Sequence, residues 1–307
     1  GDGGTGVCVD EYRYSTDDGT NWSNWEDTIP VFQAVLGTNI IQSRRICDLG
    51  NCPSEVFEVS WDVNEPITSA TIDVIPSGNV CLGATGIQYT ANVVGGTGTL
   101  SYAWCAYNTG DGSGTCFGSF TPGGNNAVQT RNWTSTTGPK SVGVTVSQEG
   151  CPDVTALYSF VVTADPVAPT LNASTPTSGT EVCEGSLVSA TFNAGSGGAG
   201  TCIDEFRYSI DNGANYLPYV AGTEIEVGTQ TVIIQARRVC DGLGCDGSGE
   251  TYAAVARWVV NLNPTVNILP VPAEVCQSTD LLLNGNPSGG SGVYVSHDWT
   301  SIGATYL

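Results

Sequence analysis

Twelve cysteines and one histidine carry the most reactive side chains of this 307-residue chain, and their spacing decides what chemistry is open to them. Zinc sites and dithiol redox sites need thiols or imidazoles a few residues apart. No C-x-x-C pair occurs, and His297 stands alone beside Asp298, so neither a metal set nor a nucleophile with a histidine base is assembled. Glycoside hydrolysis needs two carboxylates facing across a cleft, and no signature marks such a pair among the 30 acidic residues. The expectation is a protein that is not an enzyme and has no metal or cofactor. Its cysteines then serve as disulfides, which places it outside a reducing cytosol.

Four further groups of residues could bind rather than react. Asp17, Asp18, Asp111, Asp165 and Asp211 invite calcium, which takes six to eight oxygens, but no run reproduces a calcium loop and turn chemistry accounts for them. Trp22 and Trp25 match Tyr216 and Tyr219 one repeat later, and flat aromatic faces there could stack on sugar rings or pack internally. The pairs Arg44-Arg45 and Arg237-Arg238 occupy adjacent strand positions, so their members point to opposite faces. An inward member is expected to anchor Asp10 or Glu11, and Asp204 or Glu205 in the second copy. Asn21, Asn132 and Asn172 fit the N-glycosylation pattern, and Thr28 in Asp27-Thr28-Ile29 is a candidate O-glycosylation site.

The elements that position these residues repeat. CVDEYRYSTDDGTNW (8–22) matches CIDEFRYSIDNGANY (202–216), and IIQSRRICDLGNC (40–52) matches VIIQARRVCDGLGC (232–245), at offsets of 193 to 195 residues. That period is twice a sandwich domain, so the repeating unit is read as two alternating domains. Proline-containing linkers near 64–66, 165–170 and 261–265 divide the chain. The expected domains are 1–63, a partial first type; 64–164, a complete second type; 165–262, a complete first type; and 263–307, a partial second type. Short alternating runs such as SVGVTVS (141–147), TVIIQARR (231–238) and ARWVV (256–260) are rich in β-branched and aromatic residues, with Asp18-Gly19, Asn212-Gly213 and Asp111-Gly112 as turns. The fold expected is all-β, sandwich following sandwich. Trp104, and Trp299 one repeat later, are expected in the core, Trp104 on a central strand against a disulfide.

Repetition also constrains the cysteines. Each domain opens with Val-Cys (Cys81, Cys183, Cys276) and closes with Gly-Cys or Asn-Cys before its last strand (Cys52, Cys151, Cys245). The simplest pairing joins Cys81 to Cys151 and Cys183 to Cys245, with Cys105–Cys116, Cys202–Cys240 and Cys8–Cys47 as the remaining bonds. Cys52 and Cys276 are then left with partners outside this stretch. A formal net charge of −21 argues against nucleic acid and anionic membrane as partners. No run approaches the ~20 apolar residues of a spanning helix. The chain starts without Met and shows no signal peptide, so its true ends are expected elsewhere.

DEYRYSTDDGTNW, IIQSRRICDLGNC and VCLGATGIQYTANVVGGTGTLSYAW resemble the PKD-like and Ig-like repeats of giant Bacteroidota surface proteins, including gliding-motility-type adhesins. The resemblance spans essentially the whole chain. It implies tandem immunoglobulin-like and PKD-like domains, type 9 secretion, extracellular display on the cell surface, and a stalk role in adhesion or surface movement. Neighbouring repeats, lateral copies and surface glycans are the partners expected. The two other readings are a self-assembling extracellular fibre or sheath, and a carbohydrate-binding accessory array of a secreted hydrolase.

Overall fold

The computed structural model describes residues 2–49, 54–245, 247–269, 276, 280, 282–296 and 298–300. Among them the regular structure is twenty strands and one 3-10 turn, Ser248–Glu250. The first ten strands are β1 (Thr5–Ser15), β2 (Gly37–Leu49), β3 (Phe57–Val63), β4 (Ile67–Ile75), β5 (Val80–Cys81), β6 (Ala84–Gly95), β7 (Leu100–Tyr107), β8 (Val128–Trp133), β9 (Gly138–Gln148) and β10 (Val154–Thr163). The others are β11 (Thr170–Thr175), β12 (Glu181–Cys183), β13 (Leu187–Asn193), β14 (Cys202–Ser209), β15 (Leu217–Pro218), β16 (Ile225–Glu226), β17 (Val232–Cys240), β18 (Ala253–Asn261), β19 (Thr265–Leu269) and β20 (Asn284–Ser288).

The chain divides into two units. The first comprises Gly1–Ser77, Gly86–Asn132 and Gly138–Phe160, and the second Gly78–Thr85, Trp133–Thr137 and Val161–Leu307. In the first, β1-β2-β3 form one antiparallel sheet. A second sheet, β4-β6-β8, faces strands β7, β9 and β10 across a core. Alternation explains that core. Every second residue of β9, Val142, Val144 and Val146, is buried, and Val144 and Val146 meet Ile67 of β4 and Ala91 of β6.

In the second unit, β11-β13-β16 packs against β12-β18-β17-β14-β15. Val188 and Ala190 of one sheet meet Val232, Ile234, Ala256 and Trp258 of the other, the two-layer arrangement of a β-sandwich. β5 and β12 play the same part in successive sandwiches. Val80 pairs in parallel with Val162 and Cys81 with Thr163, as Val182 pairs with Val260 and Cys183 with Asn261.

Trp104 packs half-buried against the core of its sandwich, as expected, but from β7, the edge of its sheet rather than a centre strand. Its indole N–H donates to the carbonyl of Asn126 at 2.9 Å, and the adjacent Cys105 points to the other face, so Trp104 does not back the disulfide. Trp299 is 42 % exposed rather than core. The buried aromatics among the described residues are Tyr89, Trp133, Phe160, Tyr219 and Trp258.

The disulfides fall on cysteines that the repeat marks. Cys8–Cys47, Cys105–Cys116 and Cys202–Cys240 are joined. Cys8 faces Cys47 across β1 and β2, and Cys202 faces Cys240 across β14 and β17. Gly4 and Gly198 lie against these two bonds in the left-handed region, with φ of +99° and +89°, and a Cβ at either would collide with the sulfurs. The two bonds expected from the domain-opening cysteines are not formed. Cys81 joins Cys245, while Cys151 and Cys183 are free. The similar phrases identify equivalent positions, and equivalent positions in successive domains need not be each other's partners. Cys276 is free; Cys52 and His297 lie outside the described residues.

Candidate functional site

The two copies of the arginine-rich hairpin build the same arrangement of side chains. In the first, antiparallel register sets Glu11 opposite Arg44, Asp10 opposite Arg45 and Arg13 opposite Gln42. In the second, Glu205 faces Arg237, Asp204 faces Arg238 and Arg207 faces Gln235. Period-2 alternation then puts Glu11, Arg13, Gln42 and Arg44 on one sheet face and Asp10 with Arg45 on the other. Both members of each Arg pair therefore find a carboxylate. Arg44–Glu11 and Arg237–Glu205 close at 2.7 Å, Arg238–Asp204 at 2.7 Å and Arg45–Asp10 at 3.2 Å.

Aromatic rings cover the guanidiniums. Arg13 lies 4.4 Å from the ring centroid of Trp22 and 4.6 Å from that of Trp25, and Arg44 lies 4.1 Å from Trp25. In the second copy Arg207 lies 4.2 Å from Tyr216 and 3.8 Å from Tyr252, and Arg237 lies 4.4 Å from Tyr252. Arg13 and Arg207 each donate Nε–H to a glutamine, Gln42 and Gln235, at 2.8 Å. The Tyr252 hydroxyl donates to Glu205 at 3.0 Å. The Arg237 hydrogen bond, with help from that hydroxyl, holds the Glu205 carboxyl below the usual range, and burial pushes the Tyr252 phenol up.

Tyr252 is the residue that sequence comparison missed, and one deleted residue explains why. Glu26 N–H donates to Tyr12 carbonyl in the first copy, while Tyr219 N–H donates to the equivalent Phe206 carbonyl in the second. Tyr219 thus takes the backbone place of Glu26, not of Trp25. A one-residue slip reverses the face of a strand-like segment, so Tyr219 turns into the core at 6 % exposure, its hydroxyl bonded to Ala190 and Thr223 carbonyls. It offers no face to a sugar. Tyr252, arriving from just before β18, covers the arginines instead.

The rings are held over the sheet by a turn whose polar contacts are repeated. Ser15 donates to Asp17 at 2.7 Å, and Asp17 accepts from the Asn21 backbone and side-chain amides. Ser209, Asp211 and Asn215 reproduce every bond. Asp18 and Asn212 sit at φ +55°, which Asp and Asn tolerate best among side chains with a Cβ. The turn aspartates are thus committed to the backbone they close, and Asp111 likewise accepts from Ser113. No group of three or more metal-ligating side chains occurs among the described residues.

These bonds give a pH test. The Ser209 hydroxyl, then the Asn215 amides, hold Asp211 down to about 2, and Ser113 does the same for Asp111. Because the ionised form is favoured in the folded turn, its stabilisation is complete above pH 4 and is lost as pH falls through about 2. Carboxyl carbon titration by NMR is expected to give midpoints near 2 for both residues; midpoints near 4 would mean the turn bonds do not hold in solution.

A shallow groove of about 460 Å³ opens beside the second copy, bounded by Glu205, Arg207, Tyr216, Leu217, Pro218 and Tyr252. The guanidiniums occupy the ring faces turned toward the sheet, so the arrangement works first as a brace. Arg207→Met keeps the stem but removes the cation and the Gln235 bond, and is expected to cost about 1–2 kcal/mol by urea unfolding, with Arg207→Lys falling between. Thr28, Asn21, Asn132 and Asn172 are all exposed.

The two packed sheets, the disulfides and the near-absence of helix among the described residues define the class: an all-β protein of immunoglobulin-like sandwiches. Disulfides place it in an oxidising, extracytoplasmic setting. No family model and no curated protein matches the sequence. Among solved structures, the chain is similar to titin domains I67–I69, at TM-score 0.40 and 9 % identity over 83 % of this chain and 88 % of that one. It is also similar to the eight N-terminal Ig domains of the Down syndrome cell adhesion molecule, at 0.29 and 13 % over 85 % and 38 %. A third is the fibronectin(III)-like modules of Clostridium thermocellum CbhA, at 0.30 and 13 % over 62 % and 94 %. No helix among the described residues is long and apolar enough to cross a membrane.

Proposed function

We propose that the chain is a structural and adhesive stalk segment of a repeat adhesin displayed on a bacterial surface, without catalytic activity. The observation that carries this reading is the duplicated brace. Two hairpins 194 residues apart keep the same ion pairs, glutamine bonds and Asp-Asn turn, and both lay aromatic rings over the arginines even where the ring comes from a different segment. Retaining a stiffening device in each copy is what a spacer under tension needs, whereas a binding site need occur only once. The resemblance to Bacteroidota gliding-motility-type adhesins adds type 9 export and surface anchoring to this reading. The intact mass of the native polypeptide under denaturing, reducing conditions tests it: several hundred kilodaltons fits a repeat stalk, and a mass little above that of a single enzyme with a few added domains would sink it.

The groove at Tyr216 and Tyr252 favours a second reading, a carbohydrate-binding array. A glycan array probed with the chain and with its Tyr252→Ala and Trp25→Ala variants separates the two. Binding that is lost in both variants moves the function to sugar recognition; no binding, or binding unchanged by the substitutions, removes the groove from the account.

A further inference from the structure

Cys81 and Cys183 pair in the same way with the last strand of their sandwiches. Each ends a two- or three-residue strand paired in parallel with the last strand of its own sandwich, opposite Thr163 and Asn261 respectively. The following amide donates to that same partner carbonyl, Leu82 to Thr163 at 2.8 Å and Glu184 to Asn261 at 3.0 Å. Yet Cys81 is fully buried in a disulfide, and Cys183 is exposed and free. What differs is the segment brought to Cys81: Leu243, whose carbonyl takes the Cys81 N–H at 2.9 Å, then Gly244 and Cys245.

The same comparison holds for the other partner. Gly244-Cys245 and Gly150-Cys151 both precede the last strand of a sandwich, and both glycines are left-handed, at φ +75° and +78°. Gly244 sits against the backbone of Ala84, where a Cβ would come within 2.6 Å of the Ala84 Cα, so the approach requires glycine. A Cβ on Gly150 would meet open space. One junction is therefore complete, and Cys183 and Cys151 show its two halves separately.

The spacing is consistent. Cys81 and Cys245 are 164 residues apart. With a repeat of 193 to 195 residues, the next copy of Cys151 would fall 161 to 163 residues after Cys183. A Val-Cys cysteine 164 residues before Cys151 would precede residue 1, and a Gly-Cys cysteine 164 residues after Cys183 or Cys276 would follow residue 307. Cys52, equivalent in sequence to Cys245, falls under the same rule.

We propose that every sandwich of the parent protein is disulfide-bonded to the next, the Val-Cys cysteine of one domain to the Gly-Cys or Asn-Cys cysteine of the domain after it, with Cys151, Cys183 and Cys276 bonded to further repeats of the same polypeptide. Each bond forms from two thiols, which release two protons and pass two electrons to the disulfide of a thiol oxidoreductase through a mixed disulfide. The chain becomes a covalent ladder in which no junction between domains relies on the linker alone. This does not depend on the stalk reading, since a lateral fibre or an accessory array could carry the same staples.

The native polypeptide, alkylated under denaturing conditions without reduction and digested with pepsin, reports the pairing by mass spectrometry. Expected are Cys81 bonded to Cys245, Cys183 bonded to a Gly-Cys peptide of the Cys151 type, and Cys151 bonded to a Val-Cys peptide of the Cys183 type, with no alkylated thiol at either. The denatured mass should be the same before and after reduction. Alkylated Cys151 and Cys183, or a Cys151–Cys183 bond, would overturn the proposal. So would a mass that falls to a fraction on reduction, which would make the partners separate chains.

Discussion

Replacing Cys81 and Cys245 together by alanine is expected to lower stability by more than the loss of any of the other three disulfides among the described residues. A cross-link restrains the unfolded ensemble in proportion to the logarithm of the loop it closes. The Cys81–Cys245 loop spans 164 residues, the Cys8–Cys47 and Cys202–Cys240 loops 39 and 38, and the Cys105–Cys116 loop 11. Chain entropy alone gives about 5 kcal/mol for the first and about 3 kcal/mol for the last. Both sulfurs of the long bridge are buried, against Ala199, so truncation also removes packing of about 1 kcal/mol. Urea unfolding of the double variant beside a Cys105→Ala/Cys116→Ala double variant tests the order. Equal midpoints would show that the unfolded chain is already restrained around the long loop.

How the cysteines were legible in the sequence is instructive. The hairpin bonds are reached in the sequence as the pairs left over, and they form because their cysteines, in two successive repeated phrases, face each other across adjacent strands. The long bridge could not be read, because repetition reveals which residues are equivalent and is silent on which of them meet. The Arg–acid pairs could be read for the opposite reason: their partners are fixed by strand register within one hairpin. Even so, alternation alone assigns the acid to one arginine of each pair, whereas Asp10 and Glu11 are themselves adjacent and serve both faces. Tyr219 was misplaced by a single deleted residue, a change too small to disturb the 194-residue offset but enough to turn a side chain from the arginines to the core. Trp104 does pack against the core, but its strand is not the central one expected, because strand order, which makes β7 an edge, is a tertiary fact.

Trp258 is not singled out in the sequence for a related reason: ARWVV reads only as a strand, and packing shows which of its residues the core is built on. Trp258 is 0 % exposed, shares the core with Val182, Val188, Ile225 and Ile234, and donates its indole N–H to the Pro176 carbonyl at 2.9 Å. Trp258→Ala is expected to cost about 3–5 kcal/mol from lost contacts and the cavity left behind, and Trp258→Phe about 1–3 kcal/mol, since it keeps most of the ring and removes the donor of the part-buried Pro176 carbonyl. Trp61 supplies the control. It stands opposite Asn39 on β3 as Trp258 stands opposite the equivalent Val232 on β18, but it is 49 % exposed. Half-exposed, it has little cavity to leave, so Trp61→Ala should cost about 1 kcal/mol or less. Unfolding by urea separates the outcomes. If the two alanine variants lose stability equally, strand register rather than burial beneath the β11-β13-β16 sheet governs the contribution of this position. If Trp258→Ala alone collapses, the second sheet is what makes the same tryptophan, in the same place on the repeat, a core residue.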